Sequence, residues 1–162
     1  MSLFLILEVL AIVGSGLTAG IFFAFSTFVM AALARLPPEQ GIAAMNSINV
    51  TVINPWFFTV FFGTPIVCAI LAVMAVFKWS EPGSAVILAA SLVLIVGSLV
   101  VTIVFNVPLN TALAAVTTAA GEGGALWTRY LSDWTFWNTV RTVAPLLAMV
   151  LFIWGLMLRS GA

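Results

Sequence analysis

Residues 84–105 read SAVILAASLVLIVGSLVVTIVF, an apolar run with no charged side chain. A helix needs roughly 20 such residues to cross the hydrocarbon core of a bilayer, so this stretch by itself points to a membrane protein. Working outward, three more segments have the same character: about Leu3 to Leu33, Trp56 to Phe77 and Trp137 to Leu158. The fold class these imply is all-α, a four-helix transmembrane bundle forming a single integral membrane domain over residues 1–162. The first segment is longer than the apolar core of a signal peptide and reads as a retained helix. No internal repeat is visible.

Composition agrees with that reading. Of 162 residues 64% are hydrophobic and 6% charged, against about a quarter charged in soluble domains. Five basic and five acidic side chains leave no net charge, so there is no basic surface for nucleic acid. Cys68 is the single cysteine and histidine is absent. With only five scattered carboxylates, the usual ligand sets for zinc, copper, haem or di-iron are missing, and the expectation is no metal and no cofactor. The side chain most used for proton transfer near neutral pH is missing as well.

An even number of crossings places both termini on one side, where the only link is the short turn KWSEPG (78–83). The opposite side carries two long excursions, 34–55 and 106–140. Arg35, Arg129 and Arg141 on that side against Lys78 and Arg159 on the other leave the orientation open. The first excursion starts with Pro37-Pro38-Glu39, suited to a helix N-terminus, and closes at Asn54-Pro55. Ile42, Asn46, Asn49 and Ile53 share a helical face within it. Pro108 is expected to kink or end the third helix. GEGG (121–124) reads as the hinge before one long helix from Ala125 to Leu158, bent at Pro145.

The elaborated side also holds the candidate chemistry. Trp127, Tyr130, Trp134, Trp137 and Arg141 follow one another at steps of three and four, on one helix face. Two readings stay open: an aromatic belt at the bilayer surface, or the wall of a ligand pocket in which Arg141 meets an anion, a carbonyl or an aromatic ring such as Trp137. Asn46, Asn49, Asn54, Asn106, Asn110 and Asn138 cluster on the same side, as caps and interhelical ties or as neutral donors around a ligand oxygen. Asn49-Val50-Thr51 matches the glycosylation pattern, a short signal of little weight. Gly16, Gly20 and Ala24, widened by Gly14, Ser15 and Ala19, form a ridge suited to close helix packing. Glu8 lies near the thin side and is expected to snorkel or to meet Lys78 or Arg159.

GIFFAFSTFVMAALARLPPEQGIAAMNSIN (20–49), NVPLN (106–110) and WTFWNTVRT (134–142), in this order, resemble the anthrone oxygenase family of small four-helix membrane proteins. The resemblance runs from about Gly20 to Thr142. It implies oxidation of an aromatic polyketide, an anthrone turned into an anthraquinone by molecular oxygen without metal or flavin. Asn106, Pro108, Asn110, Trp137, Asn138 and Arg141 match its motif positions. Thr139 stands where relatives often have histidine, and Ala31 where they often have proline.

Combining residues and resemblance, the expected function is binding of a planar aromatic or quinone-like molecule, with cofactor-free oxygenation of anthrone type. Arg141 and Asn138 are the candidate catalytic residues. Asn46, Asn49, Asn106, Asn110, Tyr130, Trp134 and Trp137 are the candidate substrate contacts. The alternative is a non-enzymatic membrane module, either a ligand-binding protein or an accessory subunit of a larger membrane complex. Transport ranks below both, because no charge sits at mid-membrane. Expected partners are a hydrophobic aromatic small molecule and the bilayer, the bacterial inner membrane in particular, with a homo-oligomer or larger complex left open.

Overall fold

The computed structural model describes residues 2–117 and 121–161. It is all-helical among these, with five helices: α1 (Leu3–Leu33), α2 (Pro38–Thr51), α3 (Pro55–Phe77), α4 (Ser84–Ala114) and α5 (Glu122–Ser160). All but α2 are long and apolar enough to span a membrane. α1 packs beside α5 and α3, and α4 beside α3 and α5. The four thus form a bundle in which α1 and α4 are diagonal, as are α3 and α5.

Local chemistry sets the ends. The Ser2 hydroxyl accepts from the Leu5 amide at the start of α1, and Asn54 Oδ1 accepts from the Phe57 amide at 3.0 Å, with Pro55 in the first turn of α3. Both satisfy amides that the helix cannot. The α3–α4 turn passes through Gly83 at φ +81°, where a Cβ would also press on the Gly155 carbonyl, 2.7 Å away. Of the GEGG run, only Gly121 lies outside the helix; Gly123 and Gly124 are already in the first turn of α5. α5 then runs unbroken through Pro145.

Pro108 does not end the third helix. α4 continues to Ala114, and the residues before the proline widen into π-helical turns, Ile95–Val100 and Thr102–Asn106. Proline lacks an amide proton and its ring crowds the carbonyl four residues back. A wider turn there absorbs both defects without stopping the helix. α1 has a similar wide turn at Phe25–Val29.

The packing seam of α1 is Gly14, Ser15, Thr18 and Ala19, all buried. A Cβ on Gly14 would run into the Thr64 hydroxyl of α3. Gly20, expected in this seam, instead faces outward with nothing near its Cα hydrogens. The reason is rotation: the buried face of α1 follows residues 11, 15, 18 and 22, and Gly20 lies well round from it.

At the thin end Glu81 accepts from Lys78 Nζ at 2.7 Å and from Arg159 Nη2 at 2.8 Å. The hydrogen bond from Lys78, supported by both positive charges, holds the Glu81 carboxyl below its ordinary range. Arg159 also lies 3.8 Å over the Phe4 ring. Glu8, expected to snorkel or to meet one of these cations, bonds to neither of them. Glu81 takes them both, and the Glu8 carboxyl is buried beside Gly155, its Oε1 without a hydrogen-bond partner among the described residues.

Candidate functional site beneath the cap helix

α2 lies across the elaborated end of the bundle and packs on the end of α1, the last turns of α4 and the start of α5. Its Met45 is fully buried among Met30, Leu113, Trp127 and Tyr130. Beneath this lid is a cavity of about 310 Å³. Phe22 and Phe25 line it from α1, Met45, Ile48 and Asn49 from α2, and Phe57 and Phe61 from α3. α4 contributes Thr102 and Asn110, and α5 contributes Trp134 and Arg141. Phe57 and Phe61 stack on each other, centroids 5.3 Å apart at 11°.

Arg141 is 5% exposed and has no carboxylate partner among the described residues. Its Nη2 donates to Asn138 Oδ1 at 2.8 Å and its Nη1 to the Thr102 hydroxyl at 3.3 Å. The guanidinium sits 4.3 Å from the Phe22 ring centroid and 5.0 Å from that of Trp134. Asn138 is itself fixed, its amide donating to the Phe22 carbonyl and the Ser26 hydroxyl, both at 2.7 Å. Aromatic faces and neutral oxygens therefore hold the cation in place while leaving its charge uncompensated. Its Nε has no hydrogen-bond partner among the described residues.

Asn110 plays the matching part on α4. Its Oδ1 accepts from the Tyr130 hydroxyl at 2.7 Å and from Trp134 Nε1 at 2.8 Å. With both lone pairs used, Asn110 has only its amide protons left to offer a ligand. Trp127, Tyr130 and Trp134 stack in succession, at 5.7 and 5.9 Å between centroids. Asn49 Nδ2, in the cavity wall, is likewise buried without a partner among the described residues. Two polar atoms of the lining, Arg141 Nε and Asn49 Nδ2, are buried without a partner among the described residues, and both are donors.

The sequence-derived site residues thus divide into four groups. Asn49, Asn110, Trp134 and Arg141 line the cavity. Asn138 and Tyr130 stand behind it and hold Arg141 and Asn110. Asn106, fully buried, donates to the Trp134 carbonyl at 3.1 Å, and Asn46 donates to the Leu113 carbonyl at 3.5 Å, so both are interhelical ties. Trp137 belongs elsewhere: it stacks flat on Phe105, 3.5 Å between centroids at 6°, with Phe136 edge-on. A step of three residues leaves Trp137 about 60° off the direction of Trp134, enough to carry it past the cavity onto the flank of α4. Phe22 and Trp134 provide the aromatic faces for Arg141 that Trp137 was expected to supply. Thr139 lies outside the lining, its hydroxyl 3.1 Å from Ser26 Oγ.

Sequence reasoning did not single out Phe22, Phe25, Met45, Phe57, Phe61 or Thr102. Phe57 and Phe61 do carry a signal, an i,i+4 aromatic pair just after a helix cap, and so does Thr102, six residues before Pro108 on the uncharged α4.

A sequence profile of the family described as Anthrone oxygenase matches residues 56–151, over half of the chain. The chain belongs to the anthrone oxygenase family. No curated protein and no solved structure matches it. The region shared with the anthrone oxygenase family runs from the first turn of α3 into the second half of α5. It therefore includes Phe57, Phe61, Thr102, Asn110, Trp134 and Arg141, whereas the α1 and α2 walls of the cavity precede it.

Proposed function

We propose that this protein binds a planar aromatic molecule with an ionisable phenol or enol beneath α2, and oxidises it with molecular oxygen as a cofactor-independent oxygenase of anthrone type. One observation carries the reading: a buried guanidinium without a carboxylate faces an aromatic-walled cavity whose buried, unpartnered polar atoms are donors. Such a cavity favours an oxyanion over a neutral guest. Its volume of about 310 Å³ lies at the small end of the roughly 300–1,000 Å³ found for ligand pockets, which suits a fused tricyclic ring system.

An anthrone fits this environment chemically. Loss of a proton from its methylene gives an enolate whose negative charge rests on the carbonyl oxygen, where Arg141 and the amides stabilise it. The electron-rich carbon then combines with oxygen to give a hydroperoxide. Loss of the second hydrogen from that carbon, with cleavage of the O–O bond, yields the quinone carbonyl and water. One substrate methylene and one oxygen molecule become one carbonyl and one water, so no external reductant enters.

No Asp, Glu or His lines the cavity. The site therefore acts by lowering the pKa of the bound substrate rather than by presenting a strong base. The same absence favours a second reading, a binding module without turnover. Purified protein mixed with anthrone under air separates the two. Quinone absorbance rising faster than in protein-free detergent, and lost in Arg141→Met, supports the oxygenase; saturable binding without acceleration supports the module.

A further inference from the structure

We infer that the ligand reaches the cavity sideways from the bilayer, through a mouth above the first turn of α3, and that the substrate class is therefore an aromatic dissolved in the hydrocarbon. This route rests on the reading of the cavity as a ligand site.

The argument turns on which parts of the lining are covered. Toward the cap the cavity is closed by Met45, fully buried, and behind it by Leu113, Tyr130 and Trp127, at 0%, 0% and 3% exposure. Toward the thin end it is closed by Phe22 and Phe61, both buried. The exposed lining residues are Ile21, Ile53, Val107 and Thr111. Ile21 is on α1, Val107 and Thr111 are on α4, and Ile53 leads into α3. α1 and α4 are the two neighbours of α3, so these residues ring the gap over its N-terminal turn.

What surrounds the gap is apolar. Trp56 is 86% exposed, and Phe23, Phe58, Ile103 and Val104 are exposed on the same three helices. Ile21 lies within α1 and Val107 toward the cap end of α4, and both helices are long and apolar enough to span a membrane. A mouth between two such helices, rimmed by two isoleucines, a valine and a threonine, opens toward lipid chains rather than bulk water. It admits a flat hydrophobe without the desolvation that passage from water would add, and any alkyl substituent can stay outside in the bilayer.

The test uses the full chain in lipid nanodiscs and 1-hydroxyanthraquinone, an inert planar phenol, read by quenching of tryptophan emission. A second probe carries the same ring at the end of a phospholipid acyl chain. The expected results are that the lipid-carried probe competes with the free one, and that Ile53→Phe with Val107→Phe slows association and dissociation of the free probe about tenfold while its equilibrium affinity stays within about twofold. The paired change also abolishes competition by the lipid-carried probe. Ile66→Phe, an exposed position lower on α3, leaves all three readouts unchanged. Free probe that binds the unaltered protein but is not displaced by its lipid-carried form, or that keeps its rates in the paired variant, overturns the lateral route and leaves the cavity reading standing. No binding of the free probe to the unaltered protein overturns both.

Discussion

Arg141→Met separates a charge that acts on a ligand from a charge that only holds the bundle together. Methionine is close in length, apolar and polarizable, so it keeps contact with Phe22 and Trp134. What disappears is the positive charge, with its bonds to Asn138 and Thr102. A phenolate oxygen about 4 Å from the guanidinium gains about 4 kcal/mol at an effective dielectric of about 20. At about 1.4 kcal/mol per unit, that lowers the pKa of the bound phenol by up to about 3 units. Loss of one donor at comparable oxyanion sites costs about 2.7–4 kcal/mol, which agrees. The assay is a pH titration of bound 1-hydroxyanthraquinone followed by its phenolate absorbance. In the unaltered protein ionisation should occur about 2–3 units below that in empty detergent micelles; in Arg141→Met the difference should vanish. Affinity for 9,10-anthraquinone, which has no acidic proton, should change only a few-fold. The orphaned Asn138 oxygen costs about 1–3 kcal/mol of stability, so thermal unfolding is measured alongside. Equal loss of affinity for both ligands, or an unshifted phenol in the unaltered protein, would refute the reasoning and leave Arg141 a packing residue.

Three further outcomes are expected. Asn110→Leu strands the Tyr130 hydroxyl and the Trp134 indole N–H together, at about 1–3 kcal/mol each, whereas Tyr130→Phe should cost about 1 kcal/mol; thermal unfolding in detergent gives the comparison. Gly14→Ala pushes a methyl into the stiff Thr64 side chain and should lose about 1–3 kcal/mol, largely recovered in Gly14→Ala/Thr64→Ala, while Gly20→Ala is near neutral. The Glu81 carboxyl is held below its ordinary range in the fold, so its contribution is complete above the unfolded-state pKa and is lost as pH falls through the folded one. Acid unfolding should therefore begin at lower stability in Glu81→Gln, with a shallower pH dependence; identical acid profiles would count against the clamp.

Apolar length identified the four long helices directly, because a bilayer demands it whatever the side chains pack against. The Trp127–Tyr130–Trp134 stripe was equally legible, since helical spacing alone aligns it. Trp137 was not: a single step of three is ambiguous between two faces, and Phe105, a partner from another helix, decides which one it takes. Nor could the sequence reveal Phe57, Phe61, Phe22 and Thr102 as walls. In a chain with 13 phenylalanines aromatic identity marks nothing, and these residues become a site only once α2 lies over them. The asparagines were recognised as a group but not sorted, because each amide suits a tie and a ligand contact equally well until its partners are known.

The wide turns between Ile95 and Asn106 make the number of residues in α4 as consequential as their identity. Inserting one residue there, where the wide turns already hold their surplus, would rotate everything beyond it by about 100°. Thr111 and Val107 would leave the mouth, and Asn110 would swing away from the tyrosine and indole that share its oxygen. A single-codon insertion in a greasy stretch with no charged residue would thus dismantle the pocket while barely altering hydropathy. The register of α4, set by a proline six residues from its end, is in that sense part of the binding site.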